Sequence, residues 1–491
     1  MTRNRIWSPL VALVAGAALF ALMLAMRANG YASASGLDLW GRTLLADDGL
    51  ISVAQIVTAY PPLPYGGTLI LAWLFPALGS AAPMLLAILL AVGLCTAWFA
   101  SFRNSGFGLP AALLSTLFLS ANPLFLRAVA EGPGFVLLHW GIWLLALGMF
   151  QLGRGHRVND IILVAIALVI IVLSHPLGLV LAFAGLPFLA LVVPADRLRR
   201  TPGAAIMVLM FPLLFTAASF AYVNWIFGGD PLHFIDTLSR EAAGLGPARG
   251  AALATPFDSL LSGCRAAVGL FVACPIGVAM FARTAGMPPL RLAVLALMGW
   301  LVAATALATL FGLLPPLMLV VGLGVPFAAA CALRWPHERP GRPGIVLLLF
   351  AGLVGTTILT FVDQSSETTR WRAAATGQRV QPPDQNLAAL GALLRNGGAI
   401  LFDAEAAPLV VAARGRASGI WSAETPQFQL AGLRGKSDAA ILVVRNRESR
   451  LGSDRVGRLF PDLYERGRPG YRRIYDSDRW RAYARVEKTG S

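Results

Sequence analysis

Residues 8–26 read SPLVALVAGAALFALMLAM, nineteen positions without a charge. At about 1.5 Å of rise per residue, such a run makes a helix close to the ~30 Å thickness of a bilayer's hydrocarbon core. Inside lipid, backbone N–H and C=O groups find no water, so the segment must satisfy them itself, and a helix does so. Further apolar runs lie near 66–79, 82–102, 109–125, 135–152, 160–174, 177–194, 204–226, 266–283, 290–312, 315–333 and 344–362. The chain is 57% hydrophobic and only 13% charged, where soluble domains carry about 25% charged residues. The expected fold is therefore an α-helical polytopic membrane protein of about 11–13 spans, each needing roughly 20 apolar residues. The first run is longer than the apolar stretch of a signal peptide, so a retained first span is expected.

Net charge is +15, yet this does not point to nucleic acid. The basic residues gather in short connections such as MTRNR, GRGHR, DRLRR and RWPHERPGR and in the C-terminal region. In loops between spans they act as topology signals that favour the cytoplasmic side. This places the N-terminus inside, the intervening loops outside, and everything after 363 outside. The four cysteines, Cys95, Cys264, Cys274 and Cys331, have no zinc-ligand spacing and read as free thiols in hydrophobic surroundings.

The membrane domain is expected over 1–362. Residues 363–385 are polar and read as a linker or surface helix. From 386 to 491 the pattern is that of a small α/β domain: NLAALGALLRNG reads as a helix closing on glycine, and AILF and AAILVVR as buried strands. SDRVGRLFPDLYERG reads as a helix capped by Ser453 or Asp454, and YRRIYDS with RWRAYAR as a final hairpin.

Chemistry is expected in the outer loops. The first contains GLDLWGRTLLADDGLISVAQIVTAYPPLPYGG, with Asp38, Asp47, Asp48, Arg42, Tyr60 and Tyr65 beside the rigid pair Pro61–Pro62. The second, ANPLFLRAVAEGPGF, holds Arg127 and Glu131, the latter the only acid between Asp48 and Asp160. If these loops converge, Asp38 and Glu131 form a carboxylate pair in which one acts as base. A third segment, NWIFGGDPLHFIDTLSREAAGLGPARG, mixes Trp225, His233, Arg240 and Arg249 in the manner of a helix lying on a membrane. Arg240, Arg249 and Arg265 suit a phosphate headgroup, and His175 sits at the outer end of a span. Asp47 and Asp48 are weak candidates for a divalent cation, since two carboxylates alone are a poor metal signal.

The order of these features resembles the membrane glycosyltransferases of the GT-C superfamily. It is most similar to the bacterial branch of protein O-mannosyltransferases and the aminoarabinose transferase of lipid A. The first-loop Asp, the acid pair, the PPL–Y turn, SANPLFLRAVAEGPGF and SHPLGLVLAF carry the resemblance, over roughly 8–265. It implies an enzyme of the bacterial inner membrane that moves a sugar from a polyprenyl-phosphate donor to a hydroxyl of a glycan, lipid or protein acceptor on the periplasmic side. By the same resemblance Asp38 takes the place of the catalytic Asp, Glu131 of the second-loop acid, and Tyr60–Pro61–Pro62 of the elbow. Two departures stand out: Leu39 where relatives often have Glu, and Tyr60 where some have Lys. A lipid-linked glycan flippase or polymerase, and a non-catalytic membrane scaffold, are the alternatives. The first would carry charges within its spans, whereas here they lie in loops.

Overall fold

The computed structural model describes residues 7–155, 158–192, 202–234, 255–310, 317–336, 342–449 and 452–486. The protein is polytopic and helical, with one small sheet. Six helices are long and apolar enough to cross a membrane: Trp7–Ala28, Pro76–Asn104, Pro133–Leu152, Met210–Gly228, Pro288–Leu310 and Arg342–Val362. Two bent pairs, Leu109–Ser120 with Pro123–Glu131 and Pro256–Ala273 with Pro275–Arg283, bring the total to 8 if each is one span. The described residues thus hold fewer candidates than the 11 to 13 expected. Three apolar runs became short helices, Asn159–Ser174, Pro176–Val192 and Leu317–Leu333. The first two meet at His175–Pro176, where a proline limits the preceding residue and ends the helix. Most of the 66–79 run falls in the helix Pro62–Leu74, which begins at a proline and is 13 residues long, or about 20 Å, too short to cross.

The chain divides into two compact units. The first comprises Met1–Ala32, Pro83–Phe220 and Leu253–Gln381. Its core runs through Trp98, Phe125, Leu138, Leu145, Ile171 and Trp300. Gly185 lets the Trp300 ring approach where a Cβ would lie 1.9 Å from it, and the Trp300 indole N–H donates to the Leu181 carbonyl. After the last candidate span, the helix Ser366–Ala375 packs back on the unit. Asn29 donates to Ala374 O at 3.0 Å, and Arg370 donates to Ala32 O at 3.0 Å. The segment expected as a linker or surface helix thus contains a helix held by these bonds.

The second unit comprises Ser33–Ala82, Ala221–Ala252 and Pro382–Ser491. Its sheet contains β1 (Ile400–Leu401), β2 (Ile420–Trp421), β3 (Ile441–Arg445), β4 (Tyr471–Asp476) and β5 (Trp480–Arg485), in the order β2-β1-β3-β5-β4. β1 pairs in parallel with β2 and β3, and β5 pairs antiparallel with β3 and β4. All five residues of β3 are buried, as a strand covered on both faces requires. Ile400, Ile441 and Val443 point to one side with Val410 and Leu387, while Leu401, Leu442 and Val444 point to the other with Phe428 and Val456.

Asp454 caps its helix, but 453–467 is two short helices, Arg455–Leu459 and Leu463–Arg466, rather than one. Pro461 lacks the N–H needed to continue between them. The short β2 and the helices Pro408–Arg414 and Pro426–Arg434 complete the domain.

The segment that follows the first helix belongs to this same unit and is largely helical. Ser33 caps the helix Ala34–Asp47, and a Ser52–Gln55 capping box starts Val53–Thr58. Leu45 joins the core beneath β1, with Leu37 and Leu44 packed against it. Gly41 permits this docking, because a Cβ there would stand 2.0 Å from the Pro408 carbonyl oxygen.

Candidate functional site

Asp38 sits on the buried side of Ala34–Asp47, and Arg42 follows one helical turn later. Arg42 Nε lies 2.9 Å from Asp38 Oδ2, with both side chains about a tenth exposed (11% and 10%). Tyr65, at the start of Pro62–Leu74, packs against Leu39, Ala59 and Ile56. It is only 2% exposed. Among the described residues its hydroxyl has no hydrogen-bond partner. Burial pushes the phenol up to about 12; Arg42 opposes this, and Asp38 and Glu405 add to it. Tyr65 is thus a neutral donor at ordinary pH.

Glu405 enters from the segment after β1. Gln55 donates its amide to Glu405 and, at 3.1 Å, to Glu424. Arg455 Nη1 lies 3.1 Å from Glu405 Oε2. Burial raises the Glu405 carboxyl, Arg455 opposes the rise, and Asp403 and Glu424 reinforce it. Asp403 Oδ2 accepts the Arg455 backbone N–H at 2.8 Å. Asp454 Oδ1 accepts from Gly457 N at 2.8 Å. Burial, then the charge of Asp403, pushes the Asp454 carboxyl up to about 7.

These groups follow β1 and β3 on the side of their carboxyl ends. The chain leaves β1 for the outer β2 and returns past it to β3, so the connections diverge there. That is where open α/β sheets form ligand crevices. Sequence reasoning missed Gln55, Glu405 and Arg455. Gln55 was legible as the Gln of a capping box, but what it meets was not, because Glu405 lies 350 positions away.

The other acid, Glu131, belongs to the first unit. It ends Pro123–Glu131 and is 8% exposed. The Tyr31 hydroxyl donates to Glu131 Oε1 at 3.2 Å. Arg127 Nε lies 3.8 Å from the same oxygen, and Arg127 Nη2 lies 3.5 Å from Glu367. Arg127 also donates to Thr368, and Arg370 stacks over the Tyr31 ring at 5.2 Å. This network fastens Ser366–Ala375 to the bundle. Arg127, 1% exposed, is buried within this network.

The remaining predicted residues disperse. Asp48 accepts from Ala417 N at 2.9 Å and ties the first loop to the α/β domain, while Asp47 is exposed. Among the described residues no group of three His, Cys, Asp or Glu is placed to hold a metal ion. Tyr60 is buried, its ring 5.6 Å from that of Phe234, which brings the elbow beside the His233 segment. His233 itself lies against Gly228. His175 Nδ1 accepts from Leu177 N at 3.0 Å, and its ring packs 4.3 Å from Phe135. It caps a helix start. Arg265 is exposed on Pro256–Ala273. Arg240 and Arg249 lie outside the described residues. No protein-family model matches this chain, and no curated protein matches it.

Proposed function

We propose that the protein is a membrane glycosyltransferase of the GT-C type, acting on the outer face of a bacterial inner membrane with a polyprenyl-phosphate sugar as donor. The observation that carries this reading is Asp38, a nearly buried carboxylate fixed by Arg42 and flanked by the neutral Tyr65 hydroxyl. A polytopic helical body supports it by offering apolar surface to a polyprenyl tail. In the reaction, an acceptor hydroxyl oxygen attacks the anomeric carbon as the bond from that carbon to the phosphate oxygen breaks. The bond's electron pair leaves with the lipid phosphate, the configuration inverts, and the acceptor's proton passes to Asp38. The N-terminus lies in the cytoplasm and the α/β domain outside, following the basic connections.

Asp38→Asn keeps size and hydrogen bonding but cannot take the proton. With purified protein and a panel of polyprenyl-phosphate sugars, transfer is expected in the native chain and a loss of at least about 100-fold in the folded variant. Unchanged turnover in Asp38→Asn removes Asp38 as base.

A further inference from the structure

The helix Pro62–Leu74 of the second unit is apolar on both faces. Pro64, Tyr65, Thr68 and Leu69 are buried on one face, with Tyr65 against Leu39 and Ile56 of the same unit. The opposite face carries Leu63, Ile70 and Leu74, all exposed. At its end, residues 73–77 (WLFPA) are exposed in succession, with Trp73, Leu74 and Phe75 more than half so (54%, 67% and 56%). A helix on a watery surface turns charged and polar residues outward. Here no Asp, Glu, Lys, Arg or His occurs anywhere in 49–102. A contiguous apolar patch of this kind marks a contact surface.

Both ends of this helix adjoin the ends of candidate spans. Ahead of it, the Tyr60 ring lies 5.6 Å from that of Phe234, just beyond the end of Met210–Gly228. Behind it, the chain runs directly into Pro76–Asn104. A helix of 13 residues, about 20 Å, cannot cross the hydrocarbon core. Tied to span ends on both sides, it runs along the membrane boundary, the depth that tryptophan favours. We infer that Pro62–Leu74 is an interfacial anchor, whose Leu63–Ile70–Leu74 face and Trp73–Phe75 tip sink among the acyl chains at the edge of the bilayer. The partner is the lipid bilayer itself. Because the patch carries no charge, it takes zwitterionic and anionic lipids alike. On the docked face, Tyr65 packs against Leu39, the neighbour of Asp38. The anchor therefore holds the Asp38 helix beside the bilayer, whichever reaction runs there.

The test uses the full chain in lipid nanodiscs, with a nitroxide spin label at Trp73→Cys, Leu74→Cys or Phe75→Cys, one at a time. Cys264→Ser removes the exposed native thiol, while Cys95, Cys274 and Cys331 are buried. Gln427→Cys, exposed on Pro426–Arg434, is the water-facing reference. Collisions of the label with oxygen, which concentrates in lipid, are compared with collisions with a water-soluble nickel chelate. The oxygen-to-nickel ratio is expected to be several-fold higher at 73, 74 and 75 than at 427, in neutral and in anionic nanodiscs alike. Leu74→Asp loses little protein packing, since Leu74 is exposed, but sets a charge against lipid. It is expected to lower the ratio read at Phe75→Cys. A ratio at 73–75 equal to that at 427 puts the tip in water and overturns the inference. So does weak collision with both probes: with dipolar broadening between labels it shows a second copy covering the patch, and without broadening it shows another segment of this chain there.

Discussion

Gly41→Ala sets two effects of opposite sign against each other. Gly41 occupies the interior of Ala34–Asp47, where alanine is favoured over glycine by about 1 kcal/mol from helix propensity. If nothing touched this face, the variant would be more stable by that amount. The added methyl, however, stands 2.0 Å from the Pro408 carbonyl oxygen, 2.6 Å from its carbon and 3.0 Å from Pro408 Cβ. Carbon and oxygen out of bonding contact sit at about 3.5 Å. The helix must therefore retreat by more than 1 Å, and the backbone of Pro408 cannot yield as a flexible side chain would.

Overpacking of this kind costs about 1–3 kcal/mol. The retreat also draws Leu45 from the core that it shares with Leu390, Ile400 and Val410, and losing half of a leucine's burial adds about 1 kcal/mol. The net expectation is a destabilisation of about 1–3 kcal/mol, the steric term outweighing propensity. Thermal unfolding in nanodiscs, followed by limited trypsin digestion across the first loop, reads it out. A variant that melts at or above the native temperature, with no added cleavage, refutes the docking of this helix on Pro408–Arg414.

The other predictions concern charge. Asp454 has its folded carboxyl raised from 3.8 to about 7. Between these values the folded state binds more protons than the unfolded one, so this group's contribution to stability falls as pH rises from about 4 through 7. Asp454→Asn keeps the cap and removes the cost, so the variant should gain about 1–3 kcal/mol over the native chain at pH 8 and nothing at pH 4; a pH-independent difference in melting counts against it. Glu405→Ala strands Arg455 and Gln55 and should lower stability by about 1–2 kcal/mol, because the pair is a quarter to a third exposed (25% and 32%) and partly screened; melting at low and high salt checks this.

The sequence announced much of the fold through simple physics. Uncharged runs marked the helices, and many helix starts coincide with a proline, as at Pro62, Pro123, Pro133, Pro176, Pro256 and Pro288. The Asp454 cap and the antiparallel pair β4–β5 also follow from local pattern. Span count was less legible, since hydropathy sums apolar residues without seeing where prolines break the helix. The composition of the second unit was not legible at all. Leu45, Gly41 and Gln55 meet residues more than 340 positions later, and nothing local in ADDGLIS signals that contact. Asp38 could be singled out as an acid near a membrane boundary, whereas Glu405 and Arg455 look like ordinary surface charges until the sheet brings them together.

The two carboxylates singled out from the loops differ in what surrounds them, and this separates their effects. Glu131 takes a hydrogen bond from Tyr31 and faces Arg127, which also reaches Glu367 and Thr368. Through Arg127 this network reaches Glu367 and Thr368 of Ser366–Ala375. Removing Glu131 takes one of two carboxylates from a guanidinium that is 1% exposed and leaves the Tyr31 hydroxyl without this acceptor, while Glu367 and Thr368 still engage Arg127, at a cost of about 1–3 kcal/mol. Glu131→Ala should therefore melt lower, and Glu131→Gln, which still accepts from Tyr31, less so. Turnover per folded molecule should hold in the Gln variant. Asp38→Asn should show the opposite pattern in activity, with melting only modestly lower, because the amide oxygen can still accept from Arg42, and transfer lost. A Glu131→Gln protein that melts normally yet transfers no sugar would move the base from Asp38 to Glu131. Paired melting and transfer measurements on the two conservative variants thus distinguish a carboxylate that holds the fold from one that takes a proton.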